Sequence, residues 1–162
     1  MKQKMESIDR LELLQILKAN KKMKTEDEFE KFVDALTELS KIQSSKDLML
    51  PLLLELFDDD TRYLGEMDTI LNMIESYSAN VDYYVSTIVK QTPYVIESAK
   101  KWLEILYLNC IYYNDERSVL QSTLQTLPET INRMILQYID KLPREAFGED
   151  MSSKFTEILG HS

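Results

Sequence analysis

The sequence has very little of the two residue types on which most metal sites and thiol enzymes depend. Its 162 residues include one cysteine, Cys110, and one histidine, His161. With this content the chain cannot form an intramolecular disulfide, a Cys/His zinc site or a buried cysteine–histidine dyad. Glycine is scarce too, with three residues where roughly 7% is usual, and no Asn-Gly or Asp-Gly pair marks a hairpin. These absences argue against a sheet protein.

Long apolar segments are also missing. The longest wholly apolar run, Leu48 to Leu54, has seven residues and contains Pro51, whereas a membrane-spanning helix needs about 20. The N-terminal residues start basic but lead into no continuous apolar core. They therefore differ from a secretory signal. We expect a cytoplasmic protein that does not enter a membrane.

Recognisable catalytic motifs are absent from the sequence. It contains no glycine-rich phosphate loop, no His-Glu-x-x-His sequence and no serine–histidine–aspartate set. The carboxylates Asp58 to Asp60, with Asp68 and Glu75, could in principle bind a divalent cation or act as acid and base. Capping of the helix that follows Asp58 to Thr61 is the more ordinary role for such a run. We expect neither an enzyme nor a cofactor.

Hydrophobic spacing and capping signals indicate helices along the whole chain. Thr25 and Glu28 form a capping box before an amphipathic stretch. Thr92-Pro93 is typical of an N-cap followed by proline at the first helical position, and Ser98 can cap the next helix. That helix, around Trp102, is apolar on nearly all sides and should be buried. Other helices are predicted from Ser44–Asp47 to Phe57, after Thr61, from Val81, from Asn114, after Pro128 and from Met151.

These segments predict an all-α fold in one domain of residues 1–162. The predicted helix pairs begin near Thr25, Thr61, Thr92 and Pro128, a spacing of 31–36 residues. Such spacing is compatible with antiparallel pairs stacked as a short HEAT-like α-solenoid; an irregular helical bundle is the alternative.

Three parts of the domain are expected. Residues 1–24 should form an N-terminal capping helix, residues 48–140 the repeat core, and residues 143–162 a C-terminal helix after a loop at Pro143 to Asp150. The apolar stripe predicted for the first helix consists of Ile8, Leu11, Leu14 and Leu17.

Charge is distributed unevenly along the chain. Residues 1–24 carry seven bases and three acids, whereas residues 25–82 carry fifteen acids and four bases. The acidic segment should repel nucleic acid and attract a basic protein at an enhanced association rate. The basic edge of the first helix is weaker than a typical nucleic-acid-binding arm because acids dilute it. This edge consists of Lys18, Lys21, Lys22 and Lys24.

Tyrosine is the second notable feature, with nine residues that include the pairs Tyr83-Tyr84 and Tyr112-Tyr113. Tyrosine is enriched at protein interfaces, although the same residues could merely cover the edge of the core. Helical spacing places Asp68, Asn72 and Glu75 on one stripe. The predicted partner-binding residues are Asp58, Asp59, Asp60, Asp68, Glu75, Asp82, Tyr83, Tyr112 and Tyr113.

Four segments of the sequence stand out: the run from Leu50 to Thr61, the helix from Met67 to Glu75, the Asp82-Tyr83-Tyr84 sequence, and Trp102 to Leu106. Together they resemble the immunity protein 30 family of bacterial polymorphic toxin systems. The resemblance covers residues 48–140. It implies a helical-repeat protein that binds a cognate, basic toxin encoded next door and neutralises it by stoichiometric association. Asn72 and Asn109 stand where the family pattern has histidine and arginine. The alternative is a non-enzymatic helical adaptor or regulatory scaffold for another protein.

Overall fold

The computed structural model describes residues 2–42 and 49–160, with side chains from Arg10 onward. Most of these residues are helical, which confirms the predicted all-α class. None of the described helices is long and apolar enough to cross a membrane. The elements are α1 (Lys2–Asn20), α2 (Glu26–Ile42), α3 (Leu50–Leu54), α4 (Leu64–Glu75), a 3-10 turn (Ser76–Ala79), α5 (Val81–Tyr112), α6 (Asn114–Gln125), α7 (Glu129–Asp140), β1 (Glu145–Ala146), β2 (Glu149–Asp150) and α8 (Ser152–Leu159).

The chain divides into two compact units, Met1–Tyr77 and Ser78–Ser162. In the first unit α1 packs against α2, and α3 packs against α4. In the second unit α5 packs against α6, α7 and α8. Each unit has its own buried apolar residues, centred in the first on Phe32, Leu53 and Met67 and in the second on Leu103, Leu120 and Ile139.

The Thr25 cap is confirmed. The backbone N–H of Glu28 donates to Thr25 Oγ1 at 3.1 Å, while the Glu28 carboxylate accepts from the N–H of Lys24 at 2.9 Å. Both contacts satisfy donors at the start of α2 that the helix itself cannot satisfy. Helix α2 then buries three residues of its predicted apolar stripe, Phe32, Leu36 and Leu39.

The predicted stripe of α1 is only partly buried. Leu14 and Leu17 are buried, but Leu11 is 52% exposed, and Ile8 lies outside the described side chains. A helix has 3.6 residues per turn, so a spacing of three drifts by about 60° at each step. Leu11 is therefore rotated about 120° from Leu17 and points away from the core.

Helix α3 is shorter than predicted, and Pro51 lies in its first turn as expected. The predicted start at Ser44–Asp47 lies outside the described residues. In the second unit, the helix around Trp102 buries Trp102, Leu103, Leu106, Tyr107, Cys110 and Ile111 as predicted. Burial on nearly all sides is wrong, because Ile105 is 38% exposed and Leu108 is half-buried.

The predicted helix start at Thr92-Pro93 is wrong, because α5 runs through both residues. Thr92 is fully buried, and its hydroxyl donates to the Ile88 carbonyl at 2.7 Å. The same hydroxyl lies 2.6 Å from the Tyr107 hydroxyl. A side chain held this way cannot cap a new helix. The break comes later, at Ala99, whose backbone angles (φ −138°, ψ 31°) are not helical.

A small hairpin interrupts the predicted loop from Pro143 to Asp150. Strands β1 and β2 pair antiparallel, with Glu145 opposite Asp150 and Ala146 opposite Glu149. Phe147 and Gly148 connect them with φ values of 56° and 76°. Two positive φ values in a two-residue connection are typical of a type I′ turn, whose twist suits a hairpin. The sequence pairs that normally mark this turn are absent, and the hairpin was not predicted.

Helices begin as predicted after Thr25 and after Pro128, but α2 packs mainly against the preceding α1. Helix α4 begins at Leu64, three residues after Thr61, and Thr92 lies inside α5. The stacking of helix pairs into a solenoid and the single domain of residues 1–162 remain predictions.

Candidate partner-binding surfaces

The run Asp58 to Asp60 connects α3 to α4, and its first member serves the fold. Asp58 is 3% exposed. One of its carboxylate oxygens accepts the Asp60 N–H at 2.8 Å, and the other lies 3.8 Å from Lys21 Nζ. Lys21 also donates to the carbonyls of Glu55 and Phe57 at 3.1 and 3.4 Å. Lysine commonly satisfies the free carbonyls beyond a helix C-terminus in this way.

The other lysines of the basic edge contact the same segment. Lys24 Nζ lies 2.9 Å and Lys22 Nζ 3.7 Å from the Asp60 carboxylate, and Lys18 lies 3.1 Å from Glu55. The hydrogen bond and charge of Lys24 hold the pKa of Asp60 below its usual value. The basic edge therefore neutralises part of the acidic segment within the chain itself, which the sequence analysis missed.

The capping role considered for Asp58 to Thr61 is wrong. Helix α4 begins at Leu64, and its N-cap residue, Tyr63, makes no side-chain capping bond. The turn is instead closed by the Asp58 carboxylate, and Asp59 is partly buried within it. Of the three aspartates, Asp60 alone is exposed.

Helix α4 places its acids on the predicted stripe. Met67, Ile70 and Ile74 face the core, so Asp68 lies exposed on the opposite side. Glu75 is half-buried at the helix end, and burial raises the pKa of its carboxyl. Asp68 makes no ion pair within the described part of the chain. Its charge is thus available to a partner.

The start of α5 carries Asp82 and Tyr83. The Asn80 side chain caps this helix by accepting the Tyr83 N–H at 3.3 Å. Asp82 is exposed in the first turn, where a carboxylate complements the helix dipole. Tyr84 is buried and Tyr83 is partly exposed, so the two side chains point in different directions.

The end of α5 carries an aromatic cluster that includes a residue absent from the prediction. The Tyr112 ring packs edge-on against the Tyr113 ring, with the centroids 5.0 Å apart. It also packs in a tilted arrangement against the Phe147 ring, with the centroids 4.6 Å apart. Tyr113 is 52% exposed and Phe147 53% exposed. The expectation that at least one of the two tyrosines lies near solvent is confirmed. Phe147 comes from the hairpin turn, a contact 35 residues away along the chain that no local pattern signals.

The predicted residues do not form one cluster in the second unit. Asp82 and Tyr83 lie at one end of α5, and Tyr112 and Tyr113 lie at the other. At 1.5 Å per residue this kinked helix separates the two ends by roughly 40 Å. The partner-binding role of the predicted residues remains a prediction.

The family model for immunity protein 30 matches residues 19–122. The chain belongs to this family. The match confirms the family inferred from the sequence and begins earlier, and ends earlier, than the resemblance at residues 48–140. No curated protein and no solved structure matches the chain significantly. The matched region of this immunity protein 30 member contains every predicted partner-binding residue, whereas α7, the hairpin and α8 lie beyond it.

Cys110 and Tyr107 of this family member are buried. Cys110 is 1% exposed, and burial, with a smaller contribution from Glu116, raises the pKa of its thiol well above the usual value. Burial also raises the pKa of the Tyr107 hydroxyl, although the hydrogen bond with Thr92 opposes this shift. Among the described residues, no group of three or more His, Cys, Asp or Glu side chains is arranged to hold a metal ion.

Proposed function

We propose that the chain is an immunity protein that binds a cognate toxin and neutralises it by stoichiometric association. The observation that carries this proposal is membership of the immunity protein 30 family over residues 19–122. The protein acts in the cytoplasm, where it protects the cell that makes the toxin. It uses no catalysis and no cofactor, because covering the active surface of the toxin is enough to block it.

The excess of acidic residues between positions 25 and 82 supports a basic toxin as the partner. Residues 25–82 carry fifteen acids and four bases, and the basic edge contacts the carboxylates of Glu55, Asp58 and Asp60. Asp68 on α4 and Asp82 on α5 stay exposed. Exposed charges of one sign speed association with an oppositely charged surface and select against like-charged partners.

The predicted residues are assigned different roles in binding. Asp58 is left out of the proposed interface because it is buried and bound to Lys21. Asp59 and Glu75 are half-buried and contribute charge at short range. Asp68, Asp82 and Tyr83 are the contacts we assign first, and Asp60 supplies charge that Lys22 and Lys24 partly offset.

The test uses the toxin domain encoded by the gene immediately upstream. Co-expression with the full chain should restore growth, and the two purified proteins should form a complex of fixed stoichiometry. Charge reversal of Asp68 should lower affinity and reduce its salt dependence. The matched control is Glu97→Lys, which makes the same charge change at another exposed helical acid.

Three outcomes are informative. Weaker binding by Asp68→Lys with unchanged binding by Glu97→Lys supports the acidic surface. Equal losses for both variants would mean that net charge, and not a site, governs the association. If the wild-type chain neither binds the toxin domain nor restores growth, the immunity function is wrong and a scaffold for another partner becomes the better hypothesis.

A further inference from the structure

The tip of the β1–β2 hairpin holds a phenylalanine in an unfavourable place. Phe147 has φ 56°, a backbone conformation that costs free energy for any residue with a Cβ atom and is normally left to glycine or asparagine. The residue is nonetheless 53% exposed. Its ring packs on that of Tyr112, but the exposed half gains little for the fold of the free chain. It points to a contact outside the chain.

The hairpin is held rigidly at its base. The Met151 N–H donates to the Arg144 carbonyl at 2.7 Å. The Arg144 guanidinium donates to the Asp140 and Leu142 carbonyls, both at 2.9 Å, and lies 4.2 Å from the Phe155 ring centroid. The turn that carries Phe147 is therefore fixed on α7 and α8 before any partner arrives, and a preorganised contact loses little entropy on binding.

One of the rings around Phe147 already contacts a cationic side chain of the same protein, that of Lys154. Lys154 Nζ lies 4.3 Å from the centroid of the Tyr112 ring, and donates to the Tyr112 carbonyl at 3.1 Å and to Glu149 at 3.2 Å. Tyr112, Tyr113 and Phe147 thus form a surface with the electron-rich faces that attract ammonium and guanidinium groups. Lys154 contacts Tyr112, which leaves the exposed rings of Tyr113 and Phe147 for a second cation.

The exposed charged residues of the hairpin and of the turn after Tyr113 are acidic. Glu145 is exposed in β1, and Asp115 is exposed two residues after Tyr113. Asp150 is exposed as well; hydrogen bonds from Ser152 keep the pKa of its carboxyl below the usual value. Lys154 is matched by Glu149, Arg117 beside the Tyr112 carbonyl by Glu157, and Arg144 by Asp140. The exposed acids Glu145, Asp115 and Asp150 therefore leave the charge balance around the rings negative. The combination suits a basic side chain with an aliphatic stem that can lie on an aromatic face.

We propose that Tyr113, Phe147 and Glu145 form a docking surface for an arginine or lysine side chain of the toxin. The inference rests on the proposed function and deepens it, since two of the three residues, Glu145 and Phe147, lie outside residues 19–122 and the family match does not include them. An element outside the family region is suited to distinguishing the cognate toxin from related ones.

The central test is Phe147→Gly, measured with the toxin domain encoded upstream. Glycine accepts φ 56° without strain, which offsets the lost contact between the Phe147 and Tyr112 rings, so the variant should melt close to the wild-type temperature. Affinity should nevertheless fall by about tenfold or more, as for an aromatic residue near the centre of an interface. The matched control is Tyr94→Ala, because Tyr94 is 78% exposed in the same unit and belongs to no proposed surface. Its affinity should not change.

A second variant tests the charge of the occupant. Glu145→Lys should weaken binding if a cation docks beside Phe147, whereas unchanged or tighter binding would exclude a cationic occupant. If the wild-type chain binds the toxin but Phe147→Gly binds equally well, the docking surface is wrong while the proposed function stands. If the wild-type chain does not bind at all, the proposed function itself fails.

Discussion

Replacement of Lys21 by methionine is expected to destabilise the folded chain strongly. Methionine keeps the length and apolar stem of lysine but removes the ammonium group. That group lies near three oxygens, the carbonyls of Glu55 and Phe57 and the carboxylate of Asp58. The side chains of Lys21 and Asp58 are 19% and 4% exposed, so water replaces the lost contacts poorly.

The magnitude follows from this burial. Removal of one partner of a buried ion pair typically costs about 3–5 kcal/mol, because the other charge stays buried without compensation. Asp58 retains the hydrogen bond from the Asp60 N–H, and Lys21 is partly accessible, so we place the cost near the lower end, at about 3 kcal/mol. A small domain has a total stability of about 5–15 kcal/mol, so the loss should be large enough to measure.

Urea unfolding followed by far-ultraviolet circular dichroism measures the effect. The control is Lys22→Met, since Lys22 and its partner Asp60 are 54% and 64% exposed. Exposed pairs contribute little, and this variant should unfold at the wild-type urea concentration. A Lys21→Met variant as stable as Lys22→Met would refute the reasoning. The double variant Lys21→Met/Asp58→Asn should be less destabilised than the two single changes added together.

Two further predictions concern buried polar groups of the second unit. Thr92→Val keeps the side-chain shape but leaves the buried Tyr107 hydroxyl without the partner at 2.6 Å; it should cost about 1–3 kcal/mol in thermal or urea unfolding, and Tyr107→Phe in the same chain should recover part of the loss. No loss on Thr92→Val would show that this hydrogen bond does not stabilise α5. Burial raises the pKa of the Cys110 thiol, so a thiol reagent at neutral or mildly alkaline pH should label the native chain far more slowly than the unfolded chain. Fast labelling of the native chain would contradict the burial of Cys110.

The fold class was predictable because its signals are local. Thr25 and Glu28 are three residues apart, and their hydrogen bonds form within one helical turn. The spacing of apolar residues in α2 and around Trp102 likewise depends on neighbours one or two turns away. Thr92-Pro93 carries an equally good local signal and failed, because Tyr107, fifteen residues later, binds the threonine hydroxyl inside the fold.

The role of the acidic run was not predictable from its own sequence. Asp58 and Asp60 contact lysines that lie 36 to 38 residues earlier in the chain. A count of charges by segment treats these two groups as separate surfaces. The signal that could have revealed the contact is the order of the blocks, since a basic segment directly before an acidic one favours pairing between them.

The hairpin was not predicted, for a different reason. Each strand has two residues, which is too short for an alternating pattern to be recognised. Its turn uses Phe147 at a position that asparagine or aspartate normally occupies. Gly148, at φ 76°, was the one sequence signal of the turn, and by itself it is also compatible with a loop.

Asp58 and Asp68 have different expected roles: Asp58 stabilises the fold, whereas Asp68 is proposed to contact the toxin. Asp58→Asn should lower stability by about 1–2 kcal/mol, less than Lys21→Met, because Lys21 is partly accessible and keeps the carbonyls of Glu55 and Phe57 when it loses its counter-charge. The affinity of the folded chain for the toxin domain should not change. Asp68→Asn removes an exposed charge, so stability should stay within about 0.5 kcal/mol of wild type, whereas affinity should fall at low salt. Urea unfolding and binding of both variants measure this pattern, and a loss of affinity by Asp58→Asn at wild-type stability would place the buried aspartate in the interface and overturn the assignment.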